Sequence, residues 1–246
     1  GQAGWMAYFR GYDRLIDLKD GALLAEWPHI KWKEVQAGNP GLRIGDHHLP
    51  SQTVLLEIQG EGIFRINAQP YRGSLILYRT PKGKLTVVNR LDLEGYLVGA
   101  LTSETDPKWP LEALEAHAVV SRTMAAHRVR ISKDKPFDMT ADTSTHLYHG
   151  VNAERQRTRE AVQQTRGQGL AYAGELVSAT FHANCGGHTE DAAELWQEKR
   201  EIPPLTGRAD PYCRGLRHFR WEMKLPVREL ERKLNEAESD PGQLQA

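Results

Sequence analysis

Cysteine is nearly absent from this chain, with only Cys185 and Cys213 in 246 residues. One pair fits a single disulfide of an extracytoplasmic protein, or part of a metal ligand set, and excludes a disulfide-stapled scaffold. Net charge is also lacking. Lys plus Arg and Asp plus Glu number 32 each, so no global field draws the chain to nucleic acid or anionic lipid. The local basic group Arg155, Arg157, Arg159 and Arg166 reads as a solvated helix face. No run of about 18 apolar residues occurs, which excludes a helical membrane span. Phosphate loops, G-x-G-x-x-G after a strand, H-E-x-x-H and G-x-S-x-G are all missing, and with them the enzyme classes those motifs serve. No signal peptide is visible. The chain opens with Gly1 rather than Met, which is expected of a processed or trimmed start, so the missing signal does not argue for a cytoplasmic address.

What is present fits a globular protein, with 39% hydrophobic and 26% charged residues. Residues 1–52 read as an extension with one or two short elements, anchored by Trp5, Tyr8, Phe9 and Tyr12, with a turn at Gly38-Asn39-Pro40-Gly41. Residues 53–246 read as the main domain. There, short apolar runs at Val54–Ile58, Ile63–Ile66, Ser74–Tyr78 and Leu85–Val88, punctuated by Gly60, Gly62, Gly73, Pro81 and Gly83, predict a small antiparallel sheet. Asp92 predicts a helix N-terminus, with Leu93, Leu97, Ala100 and Leu101 on one face up to Glu104. Pro107 ends that helix. Pro110, at a first helical position, opens an Ala-rich one reaching Ile131. Further helices are expected at Thr158–Thr165 and Pro226–Glu238, and strands at Leu170–Tyr172 and Val177–Phe181. The fold class is α+β, a small antiparallel sheet packed with helices.

Glu104 stands out among the carboxylates. It continues the apolar stripe of its helix at the C-terminal end, where burial and the helix dipole both disfavour a charged carboxylate. A protonated acid is what a glycosidic leaving group requires. A surface glutamate at a helix end is the plain alternative. Trp109 offers a nearby face for sugar stacking. Arg122 interrupts the Ala-rich stripe and fits either a buried ion pair or a grip on substrate hydroxyls. Tyr148 follows a Thr/Ser-rich loop and suits a cleft edge. Downstream, His182 and His188 flank Cys185 at three-residue spacing. With Cys213 they form a two-Cys, two-His zinc set, against the alternative of a Cys185–Cys213 disulfide.

Several ordered blocks resemble one family. They are Val88-Asn89-Arg90-Leu91-Asp92-Leu93-Glu94-Gly95-Tyr96-Leu97-Val98-Gly99, Ser103-Glu104-Thr105-Asp106-Pro107-Lys108-Trp109-Pro110-Leu111-Glu112-Ala113-Leu114 and Ala116-His117-Ala118-Val119-Val120-Ser121-Arg122-Thr123. Phe137-Asp138-Met139-Thr140, Tyr148-His149-Gly150, Thr165-Arg166-Gly167 and Cys185-Gly186-Gly187-His188-Thr189-Glu190 follow in the same order. Together they resemble the SpoIID/LytB domain, the stage II sporulation protein D family. His117 and Met124 stand where that family usually carries Gln and Tyr. The Gly-His-Gly-Val-Gly-rich segment that usually closes the domain is missing, so a domain truncated at its C-terminal end is expected.

The resemblance implies a lytic transglycosylase of peptidoglycan, cutting glycan strands with Glu104 as general acid and base at a helix–helix junction lining a cleft. The alternative it implies is a non-catalytic cell-wall module that recruits or enhances an amidase. Trp109, Arg122, Tyr148 and His182 are then the expected substrate contacts, and His182, Cys185, His188 and Cys213 the expected ligands of a structural zinc. The chemistry itself requires no cofactor. Peptidoglycan glycan strands and a cell-wall amidase are the expected partners, with no nucleic acid. The expected location is extracytoplasmic, with tethering through a removed N-terminal segment.

Overall fold

The computed structural model describes residues 5–8, 13–27, 33–58, 63–141, 146–196 and 203–236. Phe9, Tyr12, Gly60 and Gly62, singled out in the sequence, lie outside the described residues. The chain divides into two compact units, Gly1–Thr180 and Phe181–Ala246.

The first unit begins with eleven strands. They are β1 (Trp5–Tyr8), β2 (Asp13–Asp17), β3 (Leu23–Trp27), β4 (Lys33–Ala37), β5 (Leu42–Ile44), β6 (His47–Leu49), β7 (Thr53–Ile58), β8 (Ile63–Ile66), β9 (Gln69–Arg72), β10 (Ser74–Arg79) and β11 (Leu85–Arg90). One sheet runs β6-β5-β4-β1-β8-β9 and the other β11-β10-β7-β2-β3. Every ladder is antiparallel. Alternate residues point inward, as the two-residue strand period requires. Leu75 pairs with Leu56, Leu77 with Val54, and Leu15 with Leu56. These side chains join Val35, Leu42, Ile44 and Phe64 in one buried core fed by both sheets.

Residues 1–52 therefore supply six strands, not the one or two short elements expected. Two ladders run across the anticipated boundary at 52/53, since β2 pairs with β7 and β1 with β8. Strand residues such as Asp13, Asp17, Lys33 and Glu34 hide the apolar alternation of this stretch.

Helix α1 (Leu93–Glu104) forms as the sequence predicts. The Asp92 side chain accepts the Gly95 N–H at 3.0 Å, satisfying one of the orphan donors of the first turn. Helix α2 (Leu111–Ile131) follows. Pro110 sits at its cap rather than inside it, and its carbonyl accepts the Leu114 N–H at 3.2 Å. A 3-10 turn (Gly150–Ala153) leads to α3 (Gln156–Gln164). Leu97, Ala100 and Leu101 of α1 pack with Leu114, Ala118 and Ala125 of α2 and with Ala161 and Val162 of α3. Each fully buried leucine here contributes about 1.5–3 kcal/mol of burial.

A hairpin, β12 (Ala171–Tyr172) and β13 (Glu175–Leu176), closes the unit. The second strand lies earlier than the expected Val177–Phe181. Ala173 (φ 49°) and Gly174 (φ 81°) form a two-residue turn in the left-handed region, which places the partner strand immediately after them.

Among its described residues the second unit holds helices α4 (Ala192–Leu195) and α5 (Val227–Glu236), two 3-10 turns (Pro203–Leu205 and Pro211–Cys213) and a bridge between His188 and Ala209. The whole is α+β, as expected, with antiparallel sheets and helices.

Candidate active site

Glu104 is the last residue of α1 and is half-buried. The helix stops because Thr105 turns extended, while its N–H and hydroxyl both donate to the Leu101 carbonyl, at 3.0 and 2.7 Å. The carboxylate thus emerges where the buried stripe ends. Its Oε1 accepts the backbone N–H of Leu147 at 3.2 Å. The nearby Asp106 is committed elsewhere, capping its own turn through the Lys108 N–H at 2.9 Å. Glu94, at the opposite end of α1, is paired with Arg122 at 2.8 Å.

A cluster of buried titratable groups surrounds this end of α1. His146 is fully buried, and its Nδ1 shares a 3.0 Å hydrogen bond with the Tyr96 hydroxyl. Burial pushes the His146 imidazole down to about 4, with the His117 charge adding to the effect, so the ring is neutral near pH 7. His117 is pushed down as well, chiefly by burial, with its own backbone hydrogen bond and the Glu104 charge opposing. Its Nδ1 hydrogen-bonds Ser121 Oγ at 3.1 Å. Burial, with Tyr148 and Glu104 beside it, raises the Tyr96 phenol well above the ordinary tyrosine range.

Trp109 is 44% exposed in the α1–α2 connection. Arg157 of α3 holds that connection, donating to the carbonyls of Pro107 and Trp109 at 2.9 and 2.8 Å. An open depression of about 380 Å³ lies beside the last turn of α1, lined by Gln69, Thr102, Ser103, His149, Asn152, Ala153 and Arg155. Glu104 is not among its lining residues.

Two expected substrate contacts sit in packed surroundings. Arg122 is 4% exposed. Its guanidinium grips both Glu94 oxygens and donates to Thr165 Oγ1 and the carbonyls of Val162 and Gln168. With every nitrogen engaged, Arg122 is a buried ion pair that ties α2 to α1 and to the end of α3. Tyr148 is a packing residue. Its ring lies against Gly99, where an added Cβ would meet Tyr148 Cε2 at 2.9 Å, and beside the rings of Tyr96 and Tyr71. Burial, with Glu154 and Tyr71 nearby, raises its phenol above the ordinary range. His182 is an exposed residue of the second unit.

The expected zinc set is also revised. Among the described residues, the donors that converge are Cys185, Asp210 and Cys213. The two sulfurs lie 3.5 Å apart as free thiols, and Cys185 Sγ is 3.3 Å from Asp210 Oδ2. The Gly187 N–H donates to Cys185 Sγ at 3.3 Å. His188 and His182 are exposed and stand outside this group. Sequence spacing overlooked Asp210, which stands three residues before Cys213 and also caps its turn through the Tyr212 N–H. It also overlooked Tyr96, His146 and Arg157. A lone histidine after a Thr/Ser-rich loop carries no pattern that would reveal it.

Comparison with known proteins finds relatives over this part of the chain. Residues 81–172 match the family model described as Stage II sporulation protein (SpoIID). An uncharacterized protein of Brachyspira hyodysenteriae is 33% identical over 177 residues, covering 72% of this chain and 45% of that protein. The amidase enhancer of Bacillus subtilis is 32% identical over 114 residues, 46% of this chain and 15% of the relative. Stage II sporulation protein D of the same organism is 25% identical over 190 residues, 71% and 53%. The chain spans about half or less of the length of these relatives. The stretch that includes α1, α2 and α3 is thus the part of this chain that matches the stage II sporulation protein (SpoIID) family.

Proposed function

We propose that this protein cleaves peptidoglycan glycan strands as a lytic transglycosylase, with Glu104 as its general acid and base. The observation that carries the reading is one half-buried carboxylate at the end of α1, held through a single oxygen by the Leu147 N–H, with the nearby Asp106 engaged in its own turn. Hydrolytic glycosidases generally work with two carboxylates. A transglycosylase works with one. The Glu104 carboxyl gives its proton to the oxygen bridging N-acetylmuramic acid and N-acetylglucosamine, and the anomeric C–O bond breaks. The muramic C6 hydroxyl then attacks the anomeric carbon and returns its proton to Glu104. The product is a 1,6-anhydro end, and no water is consumed. Trp109, held by Arg157, supplies a stacking face. His182 remains a proposed substrate contact from the second unit.

This reading places the protein outside the cytoplasmic membrane, where glycan strands are. Among the described residues no helix is long and apolar enough to cross a membrane. The name of the amidase enhancer relative supports a competing role, a wall-binding module acting with an amidase. Purified protein incubated alone with peptide-free strands separates the two. The enzyme releases 1,6-anhydro ends, and Glu104→Gln, folded as judged by its circular dichroism, releases none. Anhydro products from Glu104→Gln at the wild-type rate reject the assignment.

Cys185, Asp210 and Cys213 supply three of the four donors that a closed structural zinc site takes. Tetrahedral Zn–S bonds of about 2.3 Å set two sulfurs ~3.8 Å apart, close to the 3.5 Å between these thiols. The ion would cross-link residues 185 and 213 within the second unit and would take no part in the chemistry.

A further inference from the structure

We infer that Tyr96 and His146 are positioning residues that give the two oxygens of Glu104 different tasks, Oε1 to the Leu147 N–H and Oε2 to proton transfer. The inference rests on the reading of Glu104 as acid and base and adds a geometry to it.

The argument starts at Oε1, which accepts the Leu147 N–H. A proton arriving there competes with that bond. Among the described residues Oε2 has no hydrogen-bond partner, so it is the oxygen open to a substrate. Fixing one oxygen also fixes the rotation of the carboxyl plane and hence the direction in which the other points.

What places the Leu147 N–H is the short segment 146–148, which meets α1 at three sites along one helix. At the first, His146 hydrogen-bonds Tyr96 at 3.0 Å in a fully buried setting. At the second, the Tyr148 ring occupies the space that Gly99 leaves by having no side chain. The third is Glu104 itself. Gly150 ends the segment at φ 61°, where an added Cβ would lie 2.2 Å from the Pro70 carbonyl, so the chain leaves in one direction only. Of these ties, the Tyr96–His146 bond is the polar one that can be removed by deleting a single oxygen. A buried hydrogen bond contributes only about 1 kcal/mol to stability. Its larger consequence is positional, because a catalytic group displaced by about 1 Å can lose on the order of 100-fold in rate.

The test compares wild type, Tyr96→Phe, His146→Asn and His146→Leu, with Glu104→Ala as the reference for a lost acceptor. NMR without substrate reads the Leu147 amide proton, and kinetics on peptide-free strands read kcat and KM. In Tyr96→Phe the Leu147 amide proton moves toward its position in Glu104→Ala. There kcat falls about tenfold or more while KM changes less than about twofold. His146→Asn, which keeps a polar partner for Tyr96, retains the wild-type shift and rate, and His146→Leu loses both. A folded Tyr96→Phe protein with the wild-type Leu147 shift and kcat overturns the inference. If that variant does not fold, equal Leu147 shifts in His146→Asn and His146→Leu overturn it instead. The NMR arm needs no activity. An active Glu104→Gln protein would therefore remove the enzymatic reading and leave the amide result standing on its own.

Discussion

His146 shows what a single buried side chain imposes on the molecule. Its imidazole titrates near 6.5 when the chain is unfolded and near 4 in the fold, because burial disfavours the cation. Between those values the unfolded state binds a proton that the folded state refuses, so stability is lost as pH falls from about 6.5 toward 4. His117 is shifted in the same direction and adds to the slope. The loss attributable to His146 is on the order of 2 kcal/mol between pH 7 and pH 5. Denaturant melts at both pH values measure it, with a shallower pH dependence expected of His146→Asn; equal slopes would remove His146 as the cause. None of this was legible beforehand. Glu104 was, because it continues an apolar stripe to a helix end. The group that holds Glu104 was not, because the Leu147 N–H is a backbone atom and His146 comes from 42 residues further along.

At the scale of elements, the polar residue inside the α2 stripe is the informative one. Arg122 reads from sequence as either an ion pair or a sugar ligand, and pattern alone cannot tell a donor aimed at solvent from one aimed at a neighbouring helix. The structure gives it Glu94, Thr165 and two carbonyls. Removing Arg122 leaves Glu94, whose side chain is 21% exposed, without its cation and loses charge-assisted hydrogen bonds worth about 1.5–3 kcal/mol. Arg122→Ala is therefore expected to lower stability by that amount in denaturant melts. Arg122→Ala paired with Glu94→Ala is expected to cost less than the sum of the two single changes. Strict additivity would contradict the pair. Helices α1 and α2 were readable from Asp92, Pro107 and Pro110, since caps and prolines act locally. Strands β1 to β6 were not, because their short lengths and interspersed charged residues such as Asp17, Lys33 and Glu34 blur the alternation, and the pairing of β2 with β7 and of β1 with β8 is a long-range choice.

For the whole molecule, the division into two units separates two kinds of claim. In the second unit, Cys185, Asp210 and Cys213 are expected to hold close to one equivalent of zinc by elemental analysis. A chelator is expected to lower the thermal midpoint without any change specific to the glycan chemistry. Protein purified in zinc-containing buffer with no bound metal would contradict that donor set. The sequence pointed to both cysteines and, through three-residue spacing, to two histidines, whereas the donors that converge among the described residues include Asp210, whose place beside Cys185 no spacing rule reveals. In the first unit the α+β class and the helix pair followed from sequence, whereas the extent of the sheets did not. In the proposed reaction Glu104 drives an intramolecular attack and water takes no part. Mass spectrometry of peptide-free glycan strands cleaved by the purified protein in ¹⁸O-labelled water decides the point. The expected products are 1,6-anhydro-muramic ends carrying no label. Reducing muramic ends that contain ¹⁸O, or strands left uncut, would contradict that reaction.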